Sequence, residues 1–298
     1  MSKKSYCYKV LVLVVILAFG AAACGKSGKT VRVASKPHSE QYILAEMIAL
    51  LIEKHTSIKV EKKLGIGGGT SNIHPAMLKG EIDIYPEYSG TGWLFVLKEK
   101  KILPPGELFK KVADEYKKRY GIQWLGIYGF NNTFTLAMKK KLAADRGIKS
   151  YSDLSQKGKD FRFGAEYDFF EREDGYQGLQ RVYGIAFRKK TDLDIGLKYE
   201  ALASGKVDVI NAFSTDGLLK KYDLTILEDD KNFFPAYQAA TLIRMETLKK
   251  YPEVLPILKK LEGAITNEDM IAMNYAVESE KKDPVKVAMN FLTKKGLL

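Results

Sequence analysis

The sequence predicts an α/β protein built of two similar lobes, and two observations carry that prediction. From residue 31 onward, short strand-like runs alternate with stretches whose apolar residues recur at helical spacing, the pattern of strands and helices in largely parallel sheets. In addition, Gly80-Glu-Ile-Asp-Ile-Tyr-Pro-Glu-Tyr-Ser-Gly-Thr-Gly92 lies without a gap over Gly205-Lys-Val-Asp-Val-Ile-Asn-Ala-Phe-Ser-Thr-Asp-Gly217. The end glycines coincide, as do Asp83 with Asp208, Ser89 with Ser214 and the aromatics Tyr88 with Phe213. Each segment reads as a helix end, a turn glycine, a strand, an aromatic and a polar run that opens another helix. In open α/β sheets, ligands sit beyond the carboxyl ends of strands, where helix N-termini point their N–H groups. Two lobes presenting such an edge to each other would enclose a cleft. Chance likeness of two ordinary turn-plus-strand units is the alternative.

The elements follow in order. Val31–Ser35 reads as a strand. Glu40 to Lys54 has apolar residues at 43, 44, 47, 48, 50 and 51, one face of a helix. Ile58–Leu64 is strand-like, Ser71–Lys79 helix-like, Ile82–Tyr85 a strand, Glu107–Tyr120 an amphipathic helix and Ile122–Phe130 a strand. The alternation resumes from Ser152 to Glu228. From Glu246 the chain is helical, with breaks expected at Pro252, Pro256, Gly263 and Pro284.

The amino terminus is not expected to belong to this fold. Lys3, Lys4 and Lys9 precede an unbroken apolar run, Val10 to Phe19; small residues Gly20–Ala23 and then Cys24 follow. That is the layout of a secretory signal peptide over residues 1–23. The cysteine after the small residues points to bacterial lipoprotein processing, with Cys24 acylated and 24–30 a lipidated tether. Ordinary cleavage with an incidental cysteine is the alternative. Cys7 and Cys24 are the two cysteines in the chain, so the exported part is left without a disulfide or a thiolate metal site.

The net charge is +12, of which the three amino-terminal lysines carry three, leaving +9 for the exported part. Its lysines are dispersed over solvated faces, so we read the charge as surface solvation with attraction to an anionic membrane, not as a nucleic-acid site. The Gly25-Lys-Ser-Gly-Lys-Thr30 run has Ala23 where a phosphate-binding loop needs its first glycine, and no strand precedes it. His38, His55 and His74 have no metal-ligand spacing, and no Gly-x-Ser-x-Gly elbow occurs. No catalytic set, metal or cofactor is therefore expected. Gly67-Gly-Gly-Thr-Ser-Asn72 opens a helix; Thr70 or Ser71 either contacts a ligand there or caps the helix. The chain holds 17 tyrosines and 14 phenylalanines. Most must be core, but those beside strand ends would form a cation-binding cage if they converged on a cleft.

Several stretches together resemble the substrate-binding proteins of osmoprotectant ABC importers, the glycine betaine, carnitine and choline binders. They are Ser35-Lys-Pro-His-Ser-Glu-Gln41, Asp83-Ile-Tyr-Pro-Glu-Tyr-Ser-Gly-Thr91, Gly129-Phe-Asn-Asn-Thr-Phe134, Glu171-Arg-Glu-Asp-Gly175, Ser214-Thr-Asp-Gly217 and Phe233-Phe-Pro-Ala-Tyr-Gln238. The resemblance spans essentially the whole chain after residue 30. It implies a type II periplasmic-binding-protein fold, two α/β lobes joined by two crossovers with ligand in the cleft. Residues 31–131 plus 237–298 would form lobe 1 and 132–236 lobe 2.

The resemblance also implies site roles. Tyr88 matches a cage tyrosine and Thr91 a polar contact to the ligand's carboxylate end. Lys36 and Arg172 match basic residues that receive the carboxylate. Phe213 and Tyr237 stand at cage positions, and Asn132 and Phe134 in another wall; tyrosine is common where this chain has Phe134 and Phe213. If these rings line a cleft, truncating Tyr88 or Tyr237 is expected to leave the fold intact. Two further stretches, Gly67–His74 and Asp192–Tyr199, look closer to a branch that binds ergothioneine, a trimethylated histidine thione. The implied partners are a betaine-type ligand, permease and ATPase subunits, and the membrane through a lipid anchor, with the protein itself a monomer. A structural or adhesive surface lipoprotein on the same scaffold is the rival reading; it would need no cage.

Overall fold

The computed structural model describes residues 29–298; the expected signal peptide and Cys24 lie outside them. Ten strands form two five-stranded sheets: β1 (Thr30–Ala34), β2 (Lys59–Lys63), β3 (Ile84–Tyr88), β4 (Ile122–Asn131) and β10 (Gln238–Arg244) in the first. The second holds β5 (Phe134–Lys139), β6 (Arg162–Ala165), β7 (Lys189–Asp192), β8 (Val209–Phe213) and β9 (Leu224–Ile226). The orders are β2-β1-β3-β10-β4 and β7-β6-β8-β5-β9. These are one topology used twice.

Neither sheet is largely parallel. β1 runs parallel to β2 and β3, but β10 is antiparallel to β3 and β4. In the second sheet β6 is parallel to β7 and β8, and β5 antiparallel to β8 and β9. The cause is the way the chain crosses between sheets. It leaves β4 at Asn131 and starts β5 at Phe134; it leaves β9 at Ile226 and returns as β10 at Gln238. β3 and β8 end at this crossing edge, so a strand that begins there must run the opposite way.

The duplicated segment is duplicated in three dimensions. Arg32 on β1 gives its backbone N–H, Nε and Nη2 to Asp83 at 2.8, 2.9 and 3.0 Å. Arg162 on β6 gives the same three groups to Asp208 at 2.8, 2.8 and 2.6 Å. Such bidentate pairs fix the register of β1 on β3 and of β6 on β8 at equivalent points. Gly80 and Gly205 both take left-handed conformations, φ +75° and +72°, as residues that end a helix and turn into a strand commonly do. β3 and β8 start later than the sequence suggests, so Tyr88 and Phe213 are the last residues of their strands.

Helices cover both faces of each sheet. Val31 and Val33 of β1 and Ala239 and Ile243 of β10 pack with the Ser39–His55 helix and the C-terminal helices. Ala240 and Leu242 face the Pro105–Tyr120 helix on the other side. The Ser39–His55 helix buries Ile43, Leu44, Met47, Ile48, Leu51 and Ile52 completely, so it is the central prop of this half. One of the expected helix breaks is not a break: Pro256 lies in the first turn of Val254–Leu258, where a missing N–H costs nothing. Pro284 does mark a break, opening the Pro284–Lys294 helix after Asn267–Glu278 has ended.

Candidate functional site

A cavity of about 560 Å³ opens between the two sheets, at the carboxyl ends of β3 and β8. All nine candidates, Lys36, Ser71, Tyr88, Thr91, Asn132, Phe134, Arg172, Phe213 and Tyr237, line it. No two of the segments that carry them are adjacent in sequence; the topology brings them together.

The two crossings are tied to each other at the cavity floor. The Asn132 N–H donates to the Tyr237 carbonyl at 3.1 Å, and the Tyr237 N–H to Asn131 Oδ1 at 2.7 Å. The Ser89 hydroxyl donates to the Ala236 carbonyl at 2.9 Å and accepts from the Gln238 N–H at 3.0 Å. Gly90 lets the Tyr237 ring lie on its backbone: a Cβ there would come within 2.7 Å of the ring. Beyond it, a π-helical turn over Thr91–Val96 presents Thr91 and Phe95 to the cavity.

The rings form one contiguous wall. Phe134 lies 5.3 Å from Phe169, 5.1 Å from Phe213 and 5.4 Å, edge-on, from Tyr237. The His38 ring stacks on Phe213 at 5.9 Å. Burial and the nearby Lys36 and Lys198 charges hold His38 down to about 3, so it faces the cavity as a neutral imidazole.

The basic candidates are committed to acids. Lys36 Nζ reaches Glu87 Oε1 at 2.5 Å and sits 4.9 Å from the Tyr88 ring centroid. Burial pushes its ammonium down, against the pull of Glu87. Glu87 also accepts from the Thr70 hydroxyl and the Tyr88 N–H, both at 2.8 Å. Arg172 grips Asp174 with Nε at 2.8 Å and Nη2 at 2.5 Å. Its Cζ lies 4.9 Å from the Phe95 centroid and 5.4 Å from that of Phe134. The Tyr237 hydroxyl donates to the same Asp174 at 2.6 Å. Ser71 is exposed at the mouth, and neither Thr70 nor Ser71 is the helix cap; Gly69 is.

Sequence reasoning missed Phe95, His38, Glu40, Glu87 and Asp174. Four of these stand inside the stretches singled out above, so the signal was present without a role attached. Glu40 lies behind the wall. Its Oε1 accepts from the Tyr88 hydroxyl at 2.6 Å and Asn132 Nδ2 at 2.8 Å; its Oε2 accepts from the Thr215 hydroxyl at 2.6 Å and Asn274 Nδ2 at 3.1 Å. Burial raises its carboxyl, and these four bonds oppose the rise.

Next to it, the Thr215–Gly217 turn of the second sheet docks on the Asn267–Glu278 helix. Burial, Asp216 and Glu40 push Glu278 there from 4.5 up to about 8. An acid raised in this way holds a proton in the folded chain that the unfolded chain has lost. It therefore costs no stability below 4.5, and its cost grows as pH rises to about 8. Glu278→Gln is expected to stabilise the protein at pH 8 and to change it little at pH 5. Urea unfolding of both proteins at the two pH values checks this; an equal effect at both rejects it.

The chain belongs to the family of substrate-binding domains of ABC-type glycine betaine transport systems, whose model matches residues 29–294. That is a transport-binding family and not an enzyme family, and substrate-binding proteins of ABC importers work outside the cytoplasm. Over 269 residues, 90% of the chain, it is 47% identical to the ergothioneine transport permease/ergothioneine binding protein EgtU of Helicobacter pylori strain G27. The chain spans about half of that relative, 48% of its length. It is also 35% identical over 272 residues to the carnitine transport binding protein OpuCC of Listeria monocytogenes, covering 91% of this chain and 88% of that one. Among solved structures, a glycine betaine/carnitine/choline ABC transporter protein superposes with a TM-score of 0.73 at 33% identity, covering 90% of this chain and 99% of that one. The implied two-sheet fold is the fold observed.

Proposed function

We propose that this protein captures a betaine-type solute, a quaternary ammonium joined to a carboxylate, and delivers it to the permease and ATPase subunits of an ABC importer. The observation that carries the reading is one cavity wall in which Tyr88, Phe134, Phe213 and Tyr237 converge with two buried basic side chains. Ring faces attract a desolvated cation. The Nε–Nη2 edge of Arg172 is spent on Asp174, which leaves its Nη1 edge as the donor for a ligand carboxylate. Residues 31–131 plus 237–298 would act as one lobe and 132–236 as the other, closing on ligand because the closed state offers it more contacts.

Ergothioneine is the first ligand to test. The relative at 47% identity carries that name, and the Gly67–Ser71 and Asp192–Ile195 stretches both reach the cavity mouth. Carnitine, glycine betaine and choline are the other candidates. A thermal-shift screen with all four decides. A ligand at a hundred times its Kd stabilises by about 2.7 kcal/mol, and no shift with any of them would end the betaine reading. We further propose a signal peptide over 1–23 and a lipid on Cys24 that anchors a monomer at the outer face of a bacterial cytoplasmic membrane. Recovery of the protein from the soluble fraction alone would reject the anchor.

A further inference from the structure

Five acidic side chains are buried among the described residues: Glu40, Glu46, Asp83, Glu87 and Asp174. Four of them hold a cation. Glu46 pairs with Lys62 at 2.6 Å, Asp83 with Arg32 at 2.9 Å, Glu87 with Lys36 at 2.5 Å and Asp174 with Arg172 at 2.5 Å. Glu40, 2% exposed, has no ion pair among the described residues; its four partners are neutral donors. A buried charge without a counter-charge is costly, and a protein that keeps one has a use for it. Two of the four donors, Tyr88 and Asn132, are themselves cavity wall. The unpaired carboxylate is therefore one side chain away from the ligand.

We propose that Glu40 is the counter-charge of the ligand's quaternary ammonium, acting through the hydroxyl and ring of Tyr88. This rests on the betaine reading above. A trimethylammonium carries no N–H and cannot form a hydrogen-bonded salt bridge, so a carboxylate beside it gains little over one set behind a ring. A phenol that donates its proton to a carboxylate has a more electron-rich face, and that face is where a cation is held. Glu40 is thus a positioning and specificity residue: it favours cations over neutral solutes of the same shape, and it does not touch the ligand.

The test uses Glu40→Gln in the full chain, titrated by calorimetry with glycine betaine, choline, carnitine and ergothioneine. Glutamine keeps an oxygen for Tyr88 and Asn132, and its amide can donate to Thr215. Asn274 Nδ2 gives up its bond to position 40 and keeps the one it donates to the Thr215 carbonyl at 2.9 Å. Every compound that binds wild type is expected to bind the variant about tenfold more weakly, choline as much as the carboxylates. The free variant should melt no lower than wild type, because an uncompensated charge has been removed. Tyr88→Phe keeps the ring and breaks the link, so Glu40→Gln should cost less in that background than alone. Unchanged affinity in Glu40→Gln would overturn the proposal. So would a variant that cannot fold, since that would make Glu40 a structural residue. Wild type binding none of the four would overturn the betaine reading instead.

Discussion

Replacing Arg172 by alanine is expected to abolish tight binding of carboxylate ligands and to destabilise the free protein at the same time. The first effect follows from losing the donor for the carboxylate, about 2–5 kcal/mol when one partner of a buried charge pair is removed. The second follows from Asp174. Arg172 and Asp174 are 8% and 4% exposed, so truncating the arginine strands a buried carboxylate behind the cavity wall, at about 3–5 kcal/mol. The resemblance implies a ligand-binding arginine, and the structure also pairs Arg172 with Asp174, buried behind the wall of the cavity. The double variant Arg172→Ala/Asp174→Asn separates the effects: stability should largely return while carboxylate affinity does not. Choline, which lacks the carboxylate, should lose far less than glycine betaine or carnitine. Equal losses for choline and the carboxylates in calorimetric titration, or no loss for either, would reject Arg172 as the carboxylate pole.

What the sequence disclosed was set by how local the signal is. The repeated Gly80–Gly92 and Gly205–Gly217 segments gave the duplication because each is one contiguous unit, and β3 and β8 occupy corresponding positions within them. The Arg32–Asp83 and Arg162–Asp208 pairs were invisible, since their partners lie 51 and 46 residues apart and no single gapless alignment matches both. Strand direction was invisible for another reason. Periodicity tells a strand from a helix but not which way it runs, and β5 and β10, the strands that run antiparallel to their neighbours, were not read as elements at all, so the sheets were expected to be largely parallel. The nine wall residues came from contiguous motifs and were legible. The acids behind them were not: Glu171-Arg-Glu-Asp174 looks like any solvated charge run, and only the packing of the second sheet's helices buries Asp174 while leaving Glu173 exposed. Phe95 depends on a π-helical turn, for which no residue pattern was available.

Tyr237→Ala is expected to cost about 3–5 kcal/mol of stability, the range for removing a buried aromatic ring. The sequence alone suggests the opposite, a cleft residue that can be truncated without harm to the fold. The structure makes Tyr237 wall and core together. It is 2% exposed, packs into the core of the first sheet, lies on the Gly90 backbone and meets Phe134 edge-on at 5.4 Å. Its backbone also closes the hydrogen bonds that join the two crossings, so a cavity here loosens the junction as well as the cage. Tyr237→Phe divides the contributions. It keeps the ring and loses the hydroxyl bond to Asp174, a change of about 1–3 kcal/mol for a buried acceptor left short of a donor. Arg172 still satisfies Asp174, which favours the lower end. The phenylalanine variant should retain cation affinity within a few fold, while the alanine variant should lose a contact worth about 2 kcal/mol or more. Urea unfolding without ligand and calorimetry with glycine betaine measure the two quantities on the same proteins. An alanine variant as stable as wild type would show that this ring is not part of the core. One that unfolds early yet binds with full affinity would remove Tyr237 from the cage.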